Sequence, residues 1–266
     1  MLKGRLFVDI FDFDLNKCIE CKKILNSNAT ARKIYKHNCS YSKFIGNCTN
    51  LYHILKPNDY WDFYKKELKY AEENRDLPIE DRGLTYEEFY MLAFKYKTLV
   101  ENATKLSYDL SVYFYSLVCH AIVETFVGQK KEETVMQYIS SKGFKAEKVN
   151  GKKDAKYGVD IEVTGNGEHF YIQVKPISFF KANFPDTHED RIDACRKREE
   201  ILKLEGIDTY YIIYVLNWDT LELNWIVNRS GGVLFKINEL FQYEKSDIKG
   251  TIVRLDLPAK WTNTLI

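Results

Sequence analysis

Over residues 159–175 the chain alternates apolar and polar positions in two runs separated by a polar turn. Val159, Ile161 and Val163 occupy every second position of the first run, and Phe170, Ile172 and Val174 of the second. A period of two marks strands with one buried face. Between the runs lies Asn166-Gly167, and both residue types accept the positive φ that a two-residue hairpin loop requires. With those residues as the loop, Gly165 pairs with Glu168 and the whole register follows. Asp160 then lies opposite Gln173, Glu162 opposite Tyr171, and Gly158 opposite Lys175. The apolar set falls on the other face, which must be core.

Elsewhere the period is helical. Phe89, Leu92, Ala93, Tyr96, Leu99 and Val100 recur on one stripe. Thr85 followed by Glu88 is a capping box, and Leu84 with Phe89 stands where a hydrophobic staple belongs. A second helix, apolar on most sides, is predicted over residues 107–127. Beyond it the pattern changes. A helix over 129–141 stops at Gly143, and strands follow at 145–149, 159–163 and 170–175. A charged helix over 188–204 closes at Gly206, then come a central strand at 210–216 and its hairpin partner at 221–227. The prediction is a mainly helical region over residues 1–125, and over 126–266 an α/β (α+β) core, a mixed β-sheet flanked by helices.

Charge narrows the chemistry. Lys and Arg total 39 against 38 Asp and Glu, a net charge of +1, so a nucleic-acid surface must be locally basic. Lys142, Lys145, Lys148, Lys152, Lys153 and Lys156 form such a run, with only Glu147 and Asp154 near in sequence. No uninterrupted apolar stretch reaches the ~20 residues of a membrane span, and residues 1–14 lack a signal-peptide layout. A cytoplasmic protein with reduced or metal-bound cysteines and no membrane partner is expected. Cys18-x-x-Cys21 with His37, Cys39 and Cys48 offers Cys18, Cys21, Cys39 and Cys48 as candidate Zn²⁺ ligands. The alternative is that these thiols fill a small helical core. Neither a G-x-S-x-G elbow nor a G-x-x-x-x-G-K-[ST] phosphate loop occurs, which argues against a serine hydrolase and an ATP-driven motor.

The polar face of the hairpin carries the candidate chemistry. Directly opposed side chains have Cβ atoms about 4.5–5.5 Å apart. Asp160 and Gln173 at that separation could grip Mg²⁺ through a carboxylate and an amide oxygen. Lys175, two positions on, could hold or help deprotonate an attacking water.

Gly-Val-Asp160, then Gln173-Val-Lys175-Pro, resembles the PD-(D/E)xK nuclease superfamily, and residues 126–216 follow that superfamily's order of helix, strand hairpin, helix and strand. Val159 departs from the usual Pro, and Gln173 from the usual acid, as in QxK members. The resemblance implies a restriction-endonuclease-like core with Asp160, Gln173, Lys175 and Glu132 as catalytic residues. Asp160, Gln173 and Glu132 would hold Mg²⁺, with Glu133 as the fallback for Glu132. Lys152, Lys153, Lys181, Arg191, Arg196 and Lys197 would contact DNA phosphates. The implied activity is that of a type II restriction endonuclease cutting double-stranded DNA as a homodimer. The alternatives are a nuclease for modified, damaged or branched DNA, and a decayed nuclease scaffold that only binds DNA.

Overall fold

The computed structural model describes residues 13–40, 48–180, 191–240, 244–246, 253–255 and 261–262. The chain divides into two compact units, Met1–Gln129 and Lys130–Ile266.

The described residues of the first unit form helices joined by short irregular segments. Its helices are α1 (Leu15–Ser27), α2 (Ala29–Ile34), α3 (Cys48–Leu55), α4 (Tyr60–Glu73), α5 (Ile79–Arg82), α6 (Tyr86–Ala103) and α7 (Leu110–Val118). Helix α6 starts as its sequence predicts: Thr85 accepts from the Glu88 N–H, and the Glu88 carboxylate accepts from the Thr85 N–H. Leu84 and Phe89 are both buried. The start is also clamped by Arg82, whose guanidinium donates to both Glu88 carboxylate oxygens at 2.8 Å and to the carbonyls of Leu77 and Gly83. This fork holds the Glu88 carboxyl at about 2. Helix α7 packs against α1 and α6, and Phe63, Phe89, Tyr96 and Tyr113 fill the core between helices.

The two helices predicted around Val127 are one. After α7 a π turn, Cys119–Val123, leads into α8 (Glu124–Ser141), and Gly128 is accommodated inside α8 at the ~1 kcal/mol that glycine costs a helix. The run Leu110–Ser141 is long and apolar enough by composition to cross a membrane, contrary to the expectation that no segment is. Tyr113, Leu117, Val118, Ile122 and Val123 are each at most 1% exposed, as in the core helix of a folded unit.

The second unit is a mixed α+β assembly. Its elements are β1 (Lys145–Lys148), α9 (Gly151–Tyr157), β2 (Ile161–Gly165), β3 (Glu168–Pro176), α10 (Ile177–Phe180), α11 (Arg191–Leu204), β4 (Asp208–Leu216), β5 (Leu223–Ile226), α12 (Ile237–Leu240), β6 (Glu244–Ser246), β7 (Val253–Leu255) and β8 (Trp261–Thr262). Six strands form one sheet in the order β1-β2-β3-β4-β5-β8, and β6 pairs with β7 separately. Within the large sheet β3 and β4 run parallel and the other neighbours antiparallel. A parallel pair needs a crossover, and α10 and α11 lie on the connection.

Both faces of the sheet are covered. On one, Val135 and Ile139 of α8 pack with Ile161, Val163, Phe170, Ile172, Val174 and Ile212. On the other, Cys195 of α11 joins Tyr211, Ile213, Ile226 and Phe235, while Leu202 joins Val149, Tyr157, Val159 and Tyr171. Each fully buried aliphatic contributes roughly 1.5–3 kcal/mol. Five of the six residues assigned to one face lie on it. Val159 instead packs on the α11 side.

Candidate active site

The hairpin forms in the predicted register. Gly165 pairs with Glu168, Val163 with Phe170, Glu162 with Tyr171 and Ile161 with Ile172. Asn166 and Gly167 both have positive φ, 52° and 79°. The register slips where β2 begins. Ile172 already faces Ile161, yet the Asp160 N–H donates to the same Ile172 carbonyl at 2.9 Å. Two residues therefore oppose one, a bulge, and bulges re-aim the side chains beside them. This is why Val159 leaves the face of Ile161, and why Asp160 is not set opposite Gln173.

The segment before the bulge is helix α9, an element that the sequence pattern did not predict. Asn150 caps it by accepting from the Lys153 N–H at 3.0 Å, and Gly158 ends it in the left-handed region with φ 62°. A Cβ at position 158 would also fall inside the Arg198 guanidinium. Asn150 and Gly158 are the cap pair that a sequence reading could have used to find α9.

Asp160 is held on three sides. Its N–H binds Ile172, its carbonyl accepts from the Val149 N–H at 3.2 Å, and its carboxylate accepts from the Val174 N–H at 2.7 Å. The Lys175 ammonium stands 3.6 Å from the same carboxylate oxygen. Asp160 and Lys175 therefore come together as expected.

Gln173 does not join them through its oxygen. Its side chain is 2% exposed, its amide N–H donates to the Gly158 carbonyl, and its Oε1 accepts from the Cys195 thiol at 3.8 Å. The amide thus ties β3 to the end of α9 and to α11.

Glu132 points inward with the Val135 and Ile139 stripe. Its side chain is 12% exposed, against 31% for Glu133, which pairs with Lys130 at 3.3 Å. Burial pushes the Glu132 carboxyl up, the Lys148 ammonium at 2.8 Å opposes the rise, and the nearby charge of Asp160 adds to it. Glu162, on the polar face of the hairpin, is engaged elsewhere. It accepts from Lys153 at 2.7 Å, contacts His169 at 3.0 Å and accepts from the Tyr171 hydroxyl at 3.3 Å.

The lysine run is less basic in space than along the chain. Lys145 pairs with Glu147, Lys148 with Glu132, Lys153 with Glu162 and Lys156 with Glu205. Three of those acids are distant in sequence, which is why counting neighbours along the chain misses them. Lys152 on α9 and Lys197 on α11 are exposed, and Arg196 is half-buried. Lys181 lies outside the described residues, as does the side chain of Arg191.

The expected zinc ligands do not form one cluster among the described residues. Cys18, Cys21 and Cys39 are buried free thiols, and the Cys48 side chain lies outside the description. Cys18 neighbours Cys119 and Cys21, whereas Cys39 neighbours Lys95 and Tyr96. Burial raises the Cys39 thiol to about 11 and that of Cys119, beside Cys18, to about 12. No group of three or more His, Cys, Asp or Glu side chains among the described residues is arranged around a metal position.

For Mg²⁺ the requirement is smaller. One or two carboxylates suffice, because water and substrate phosphate complete its shell. Asp160 and Glu132 are two hard-oxygen donors, each paired with a lysine, and carboxylate oxygen is the donor chemistry that this cation takes. Comparison with protein-family models, curated proteins and solved structures gave no match to this chain.

Proposed function

We propose that this protein is a Mg²⁺-dependent DNA endonuclease of the PD-(D/E)xK type, acting as a type II restriction enzyme on double-stranded DNA. The observation that carries the reading is the Asp160–Lys175 pair at the start of β2 and the end of β3, with Glu132 of the preceding helix as the second carboxylate, its charge felt by Asp160. The order of α8, β1, β2, β3, α11 and β4, with β3 and β4 parallel, supports it further, because it is the core order the resemblance implies.

When bound, Mg²⁺ would neutralise charge developing on the scissile phosphate and ease deprotonation of a water. Asp160 and Glu132 would hold it. The backbone fixes Asp160 before any ligand arrives, so little reorganisation is left for binding. Lys175 orients the attacking water or a non-bridging phosphate oxygen by donation from its ammonium. In the reaction a water oxygen bonds to phosphorus and the bond from phosphorus to the leaving sugar oxygen breaks. The water's proton ends on that leaving oxygen. Homodimerisation would place two such sites on a two-fold DNA target.

One observation favours a second reading, a nuclease scaffold that binds DNA without cutting it. The Gln173 oxygen, which would be a third donor, is committed to Cys195. Incubating the protein with unmodified, methylated and branched DNA in Mg²⁺ separates the readings. Cleavage of unmodified duplex supports the first, cleavage of only the other substrates redirects the target class, and binding without cleavage supports the second.

A further inference from the structure

Lys148 is not among the residues that the resemblance implies for catalysis, yet it pairs with one that is, Glu132. Lys148 ends β1 directly opposite Ile161, the residue after Asp160, and the next N–H along, that of Val149, donates to the Asp160 carbonyl. Strand pairing therefore brings the Lys148 backbone to the edge of the site. Its ammonium binds the Glu132 carboxylate at 2.8 Å, with side-chain exposures of 31% for Lys148 and 12% for Glu132.

The two carboxylates are anchored unequally. Asp160 is gripped by backbone hydrogen bonds, whereas the Glu132 carboxylate pairs with a lysine on a flexible stem. Two cations compete for one carboxylate when a divalent ion arrives, and the ion with the higher charge prevails at short range. The released ammonium has three donors, is already partly in solvent, and is carried by the residue next to Val149, whose N–H binds the Asp160 carbonyl.

We propose that Lys148 is a partner-exchanging phosphate ligand: it holds Glu132 while no divalent ion is bound and transfers to a DNA phosphate when one is. The exchange rests on the nuclease reading, since it needs a cation at Glu132. It makes tight DNA binding conditional on metal and places one positive charge on the backbone only when the site is loaded.

The test uses the full chain, a short DNA duplex and Ca²⁺ as probe cation, with affinity measured across a salt series. One phosphate contact contributes a slope of about −0.9 in log affinity against log salt. In Ca²⁺, Lys148→Met flattens the slope by about 0.9, and in chelator it leaves the slope unchanged. Glu132→Gln, which removes that ion pair and keeps Lys148, steepens the slope in chelator by about 0.9. Equal slope changes with and without Ca²⁺, or none in either variant, overturn the exchange. A parallel Mn²⁺ titration of wild type and Asp160→Ala tells the two failures apart. If Asp160→Ala weakens Mn²⁺ binding while the slopes stay put, only the exchange fails. If wild type and Asp160→Ala bind Mn²⁺ alike, the nuclease reading fails with it.

Discussion

Asp160 and Gln173 occupy motif positions of equal weight, and their surroundings give them different work. Asp160 has its carboxylate beside Lys175 and its backbone locked. Gln173 is a structural tie, donating to Gly158 and accepting from Cys195. Replacing Gln173 by the acid common in related motifs removes the donor and sets a carboxylate against a carbonyl. Gln173→Glu is expected to lower stability by about 1–3 kcal/mol in urea denaturation and not to raise any Mg²⁺-dependent activity. Unchanged stability would mean that the amide is not bound as described.

Two acids of the helical unit make pH-dependent predictions of opposite sign. Glu67 of α4 is 1% exposed, neither carboxylate oxygen has a hydrogen-bond partner among the described residues, and burial pushes its carboxyl up to about 8. Because its folded value exceeds its ordinary value of 4.5, stability is highest below 4.5 and falls as pH climbs through about 8. Glu67→Gln is expected to remove that decline, gaining on the order of 1–3 kcal/mol over wild type above about pH 8 and little in acid. Parallel stability curves for the two proteins across that range would refute it. Glu88 is the reverse case. Its carboxyl is held down by Arg82, so its contribution is full above 4.5 and disappears as pH falls toward about 2. Arg82→Met should cost about 1–2 kcal/mol at neutral pH, the range kept low because the Glu88 side chain is 33% exposed. The cost should shrink in acid, as measured by denaturant unfolding.

At the scale of elements, the hairpin was legible because three signals agree: alternation on both strands, a loop of residues that accept positive φ, and one register that buries the apolar set. The α6 capping box was legible for the same reason, since both partners are local. The bulge at Asp160 was not, because counting in twos assumes that no residue is left over, and the extra residue is set by where α9 stops. Helix α9 itself was hidden by its short length and by lysines that resemble a solvated loop. Partnerships formed across the fold, Lys148 with Glu132 and Arg198 against Gly158, have no local signature at all. Gly158 makes the dependence testable. Gly158→Ala forces a Cβ into left-handed backbone and into Arg198, and should destabilise the protein by about 2 kcal/mol or more. Adding Arg198→Ala should recover the steric part and leave about 1–2 kcal/mol from the backbone. A fully additive double variant would contradict the contact.

At the scale of the whole molecule, the near-zero net charge and the pairing of most lysines in the 142–156 run leave few unneutralised cations on that segment. A DNA-binding role then depends on charges released or completed when metal and DNA bind together, rather than on a standing basic patch. The most direct measurement of the central claim is cleavage of duplex DNA by wild type, Asp160→Ala and Lys175→Ala, with Mg²⁺ and with chelator, after all three are shown to fold alike. The account predicts cleavage by wild type in Mg²⁺ alone and a loss of at least about 100-fold in each variant. Cleavage that survives chelation, or variants that cut as fast as wild type, would contradict it.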